Sequence, residues 1–121
     1  MLPREHRLSS PSDFSRAIRG GRRTGSKTVI LHLRRVQAEP GVARSGGPRF
    51  GLIVSKAVGN AVIRHRVSRR LRHVCAALVE EIGTDCDVVI RALPRAADAS
   101  GRDLHRDISR ALGKIRDKTR D

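Results

Sequence analysis

The densest chemistry in the chain lies between Arg64 and His73, which reads Arg-His-Arg-Val-Ser-Arg-Arg-Leu-Arg-His and holds five arginines and two histidines. Guanidinium groups pair with phosphate in a bidentate way and stack flat on bases, which the point charge of lysine cannot do. Packed at helical spacing, these like charges repel one another, and a polyanion lying along them relieves the repulsion. At about 100° per residue, His65, Arg66, Arg69, Arg72 and His73 fall opposite Val67, Leu71, Val74 and Leu78, giving a phosphate-facing ridge behind a buried stripe. Arg70 belongs to the same cluster. Arg64 projects toward the apolar side of the first turns, at the mouth between helix and sheet, where it is placed to hold a nucleic-acid strand. The competing reading is a solvated basic face; the arginine bias and the charge of the whole chain weigh against it.

Catalysis by the protein itself finds little support. No paired carboxylates, HExxH, phosphate-binding loop or Ser/Cys/His arrangement accompanies the basic helix. His32, His65 and His73 are the candidates for acid and base of a metal-free nuclease, but histidines set among arginines have lowered pKa values and serve more often as contact residues. Cys75 and Cys86 show neither a CxxC pair nor a four-ligand Cys/His spacing. They read as cytosolic thiols, with no protein-held metal and no disulfide framework expected.

The chain of 121 residues fits one domain, and 26 Lys plus Arg against 12 Asp plus Glu leave a formal +14. A field of that sign and size selects a polyanionic partner. Genome composition is the plain alternative source of so much arginine. Phe14 and Phe50 are the only aromatic residues of the Phe, Tyr and Trp set, so a broad stacking platform is excluded and base contacts fall to Arg, His or these two rings. The first ten residues are charged, and no stretch approaches the roughly 18 uninterrupted apolar residues of a membrane span. No membrane association and a cytoplasmic location are expected.

These side chains need positioning elements. Ser10 or Ser12 caps a short helix through about Arg19, with Phe14, Ala17 and Ile18 as its apolar stripe and Gly20 and Gly21 as its stop. Residues 27–36 alternate Val29, Leu31 and Leu33 against Thr28, Ile30, His32 and Arg34, which predicts a strand. Residues 37–48, rich in Gly, Pro and Ser, read as a flexible hairpin loop. Residues 49–55 then predict a second strand, paired antiparallel with the first across that loop. Gly59 marks a turn, and Asn60 caps a long helix to about Ile82, striped by Val67, Leu71, Val74, Cys75, Leu78 and Ile82 and closed by Gly83. An apolar run over 87–93 predicts a buried strand ending before Pro94. Ser100 and Asp103 resemble a capping box for a last helix carrying Leu104, Ile108, Leu112 and Ile115, which frays into a charged C-terminal tail. The expected fold is therefore α+β, a small mainly antiparallel sheet with helices in the order helix-strand-strand-helix-strand-helix.

Residues 51–72, Gly-Leu-Ile-Val-Ser-Lys-Ala-Val-Gly-Asn-Ala-Val-Ile-Arg-His-Arg-Val-Ser-Arg-Arg-Leu-Arg, resemble the signature of the bacterial ribonuclease P protein family. That pattern has a Lys, a Gly-Asn-Ala turn and an Arg-Asn-Arg core, matched here at Lys56, Gly59, Asn60, Ala61, Arg64 and Arg66 and continued by Arg69 and Arg72. His65 stands where the central Asn is typical. Asp13, Phe14, Gly21 and the strand over 87–93 are similar to further family features.

The resemblance implies a protein subunit of an endoribonuclease whose RNA subunit, with Mg²⁺, cuts the 5′ leader from precursor tRNA. It implies that Lys56, Asn60, Arg64, His65, Arg66, Arg69, Arg70 and Arg72 meet RNA, and that Phe14, Ile18 and His32 line a cleft for the leader between the first helix and the sheet. Ile18 and His32 stand where further aromatics are frequent, which predicts apolar or imidazole contact with the leader in place of stacking. From the stripe alone, Phe14 and Ile18 read as core packing. The resemblance also implies a left-handed strand-helix-strand crossover, where general chirality favours a right-handed one. Two rivals remain at this point: a structural or ribosomal RNA-binding protein without a role in cleavage, and a DNA-binding domain, for which no helix-turn-helix partner is evident.

Overall fold

The computed structural model describes residues 2–35, 47–83 and 85–119, with side chains as far as Ile115 in the last helix. The helices are α1 (Pro11–Gly20), α2 (Ala61–Leu78) and α3 (Gly101–Thr119), and the strands are β1 (Arg22–Gly25), β2 (Val29–Arg35), β3 (Arg49–Ile53) and β4 (Cys86–Ala92). The sheet runs β1-β2-β4-β3. β1 with β2 and β2 with β4 are antiparallel, while β3 lies parallel to β4.

This order corrects the expected pairing of the strands at 27–36 and 49–55, because β4 lies between them. Its side chains are buried on both faces except at Arg91, and a strand apolar on both sides gains most from a central position. β3 can then run parallel to β4 because α2 supplies the long crossover that parallel neighbours require. The expected hairpin loop, but for Gly47 and Pro48, lies outside the described residues, as does the charged tail beyond Thr119. A further difference is β1, whose sequence Arg-Arg-Thr-Gly carries no apolar alternation; it forms as an edge strand because β2 offers it a ladder.

Local capping explains the helix boundaries. Pro11 opens α1, where its missing N–H costs nothing, and the Gly21 N–H closes it on the Ala17 carbonyl at 3.1 Å. Ser10 precedes the helix, but its hydroxyl bonds that of Ser12 instead of capping the backbone. Asn60 does cap α2, its Oδ1 accepting from Ile63 N at 3.0 Å. That helix stops at Leu78, short of the expected end, and a single 3₁₀ turn, Val79–Glu81, carries the chain to the still buried Ile82. The capping box of α3 is formed in both directions, Asp103 N donating to Ser100 Oγ and Ser100 N to Asp103 Oδ2.

The two faces of the sheet are unequal. One face buries Val29, Leu31, Phe50, Val88, Ile90 and Ala92 against Val67, Leu71, Val74 and Leu78 of α2 and Leu104, Ile108, Leu112 and Ile115 of α3. The other carries α1, whose Ala17 packs with Leu8 and Val89, flanked by the partly buried Phe14, Ile18 and Ile53. Burial of the first set supplies most of the apolar stabilisation, since the gain scales with the area removed from water. The second cluster is small, so much of that face remains open for function.

Candidate nucleic-acid interface

Cations gather on two sides of the molecule. On α2, the exposed basic side chains are those of His65, Arg69 and His73, with Arg72 half-buried beside them. Together these four line a hollow of about 470 Å³. Val62, two turns before Arg69, is 75% exposed and puts an apolar contact at the ridge's N-terminal end. The helical period thus delivers the ridge at these positions.

Arg66 is the exception to the expected outer arc. It is half-buried on the flank of α2, and its Nη2 donates to the Ala97 carbonyl at 3.2 Å. Arg70, one turn on, donates through Nη1 to the Ala99 carbonyl at 2.6 Å. Both carbonyls belong to the segment that leads from β4 to α3, where the 3₁₀ turn Pro94–Asp98 leaves backbone oxygens without helical partners. These two arginines fix that connection against α2, and the Arg66 Nε is buried there without a hydrogen-bond partner. Arg64 is half-buried, with a buried Nε that has no hydrogen-bond partner. Lys56 and Asn60 are exposed at the start of α2, but the Asn60 carbonyl oxygen is engaged in the cap.

The second group sits on the sheet face that carries α1. Strand register aligns Arg23, His32, Val89 and Gly51 in one row and Ile30, Arg91 and Ile53 in the next. His32 is 6% exposed, and its Nδ1 has no hydrogen-bond partner. Burial, reinforced by Arg23 and then Arg91, lowers its pKa below 6.5, so the ring is neutral at physiological pH. Phe14 and Ile18 border the same surface, each partly buried, so they serve as packing for α1 and as apolar wall at once. Gly51 allows this: a Cβ there would meet Phe14 Cζ at 2.5 Å and Leu8 Cδ1 at 3.2 Å. α1 therefore approaches the sheet more closely than a larger residue permits.

Arg23 and Arg91 were not among the candidates from sequence. The strand carrying Arg23 lacks apolar periodicity, and Arg91 is masked by the apolar run around it, although its alternation with Ile90 and Ala92 marks it as facing away from the main core. Among the described residues, no group of three or more His, Cys, Asp or Glu side chains gathers, and no helix is long and apolar enough to cross a membrane.

Fold and charge together define an α+β platform for a polyanion, with cations on the helical layer and on the opposite sheet face. The family model for Ribonuclease P matches residues 2–116. The ribonuclease P protein component of Rhodococcus opacus (strain B4) is 58% identical over 116 residues, spanning 95% of this chain and 92% of that protein. That of Corynebacterium diphtheriae is 51% identical over 118 residues, spanning 98% and 99%. The structure of the Staphylococcus aureus RNase P protein superposes with a TM-score of 0.74 at 21% identity, covering 91% of this chain and 96% of that one. The RNase P protein from Thermotoga maritima gives 0.73 at 17%, covering 90% and 96%. At such identities the two structures speak for the fold. The chain belongs to the bacterial ribonuclease P protein family, the protein components of an endoribonuclease holoenzyme of tRNA processing, and its partner is RNA.

Proposed function

We propose that this chain binds the catalytic RNA through the α2 ridge and the 5′ leader of precursor tRNA across the sheet face beside α1, so that the RNA cuts a correctly placed substrate. The observation that carries this reading is the separation of the two surfaces: His65, Arg69, Arg72 and His73 lie on the helical layer, whereas His32, Arg23, Arg91, Phe14 and Ile18 lie on the far face of the sheet. A protein so built can touch two RNA segments at once and hold them in register, which is a catalytic contribution through positioning and electrostatics.

Mg²⁺ in this reading belongs to the RNA. Three of the protein's carboxylates are already engaged: Asp87 is held by Arg49, Asp107 by Thr28 and Arg106, and Asp103 by the cap of α3 and Arg106. The cytoplasm, where precursor tRNA is made, is the location that fits this task and the free thiols Cys75 and Cys86.

The test is leader-dependent affinity. The complex of this protein with its RNA should bind precursor tRNA more tightly than mature tRNA, and Phe14→Ala or Arg91→Ala should shrink the ratio while leaving mature tRNA binding unchanged. A structural or ribosomal RNA-binding protein would give equal affinities, and that result would overturn the proposal.

A further inference from the structure

A third group of cations remains outside both surfaces. Arg106, Arg110 and Lys114 recur every four residues along the exposed side of α3, steps of about 6 Å along the axis. Lys27, in the turn between β1 and β2, faces them across a groove of about 390 Å³. The floor is small: Ala111 lies there, and Gly25 has no atom within 4 Å of where a Cβ would stand, so a chain can lie close to the backbone.

One carboxylate, Asp107, borders the groove, and it is engaged. Asp107 is 6% exposed, and its Oδ2 accepts from Thr28 Oγ1 at 2.5 Å. Arg106 pairs with Asp107 at 3.6 Å and with Asp103 at 3.3 Å. Among the described residues the ion pairs of this groove are those of Arg106, and Lys27, Arg110 and Lys114 are left facing solvent. Three uncompensated cations on two walls of an open groove match a run of phosphates, which a strand presents at regular intervals.

We infer that the groove between α3 and the β1–β2 turn is a second phosphate-backbone site for the catalytic RNA, engaging a segment separate from the one on the α2 ridge. Location selects the RNA subunit over the substrate: α3 and α2 cover the same sheet face, while Phe14 and His32 lie on the other. The inference rests on the proposed binding of that RNA by α2.

Hydroxyl-radical footprinting of the RNA subunit tests it, using the whole protein, the triple variant Lys27→Gln, Arg110→Gln, Lys114→Gln, a charge-keeping triple Lys27→Arg, Arg110→Lys, Lys114→Arg, and Arg69→Ala as reference. The neutralised triple should lose protection over one RNA segment, distinct from the segment lost by Arg69→Ala, and the charge-keeping triple should retain it. The slope of log affinity against log salt should fall by about two to three units in the neutralised triple. A wild-type footprint and slope in that variant would overturn the inference, as would loss of the same segment that Arg69→Ala loses. If Arg69→Ala keeps the wild-type footprint while the triple does not, the ridge reading fails and the groove stands.

Discussion

Arg49 of β3 grips Asp87 of the neighbouring β4 with two bonds, Nε to Oδ1 and Nη2 to Oδ2, each 3.1 Å long. Its Nη1 also stands 3.5 Å from Asp13 Oδ2 on α1. One guanidinium therefore ties the parallel strand pair together and tethers the helix that borders the open sheet face. Hydrogen bonding to Asp87 holds the Arg49 pKa above its ordinary value, against an opposing effect of burial.

Asp87 is 1% exposed, so deleting Arg49 takes two charge-assisted hydrogen bonds from a buried carboxylate. Arg49→Ala should lower unfolding stability by about 2–3 kcal/mol. Asp13→Asn, which breaks only the more exposed pair, should cost less than about 1 kcal/mol. Urea unfolding of both variants checks the ordering, and equal losses would contradict it.

Gly51→Ala should act on the same helix from below. The added methyl group meets the Phe14 ring and Leu8, and overpacking of this kind costs roughly 1–3 kcal/mol. Because α1 must lift, leader affinity should fall with stability, whereas affinity for the RNA subunit through α2 should hold. Titration with leader-bearing and leaderless substrates separates the two effects.

His32 gives a pH dependence of known sign. Its folded pKa lies below 6.5 because burial and the nearby Arg23 and Arg91 disfavour the imidazolium. On acidification the unfolded chain takes up the proton first, so this contribution is present above about pH 6.5 and is lost as the pH falls toward the folded pKa. The melting temperature of the wild type should therefore drop more between about pH 7.5 and about pH 5.5 than that of His32→Phe. Parallel drops would show that His32 contributes nothing.

The thiols should be inert in the folded protein. Burial pushes Cys75 up to about 12, and burial followed by Asp85 raises Cys86 against the opposing effect of Arg35. The thiolate is the reacting species, so alkylation at mildly alkaline pH should be slow for both and become fast on unfolding. Rapid native labelling of Cys75 would refute the packing described for α2.

The three helices were legible because each rests on local signals: an apolar stripe at helical spacing, and caps at Asn60 and Ser100 that act within three residues. The sheet was legible only in part. Val29, Leu31 and Leu33 announce a strand, but nothing local says that its partner is β4 and not β3, because pairing is decided by which apolar run gains most from a central place. β1 left no trace in Arg-Arg-Thr-Gly, since its strand state comes from the ladder that β2 provides. The same divide runs through the interface. Arg69 and His65 follow from the helical period alone, whereas the bonds of Arg66 and Arg70 to the Ala97 and Ala99 carbonyls depend on where a distant turn passes. Arg23 and Arg91 join His32 only through strand register.

The central claim is that the protein positions RNA segments and leaves bond breaking to its RNA partner. The most direct measurement is the single-turnover rate of precursor tRNA cleavage by the matching catalytic RNA at low Mg²⁺, with and without the protein. The account predicts no cleavage by the protein alone, a large rate gain when it joins the RNA, and a smaller gain with Arg69→Ala. Equal rates with and without the protein, or cleavage by the protein in the absence of the RNA, would contradict it.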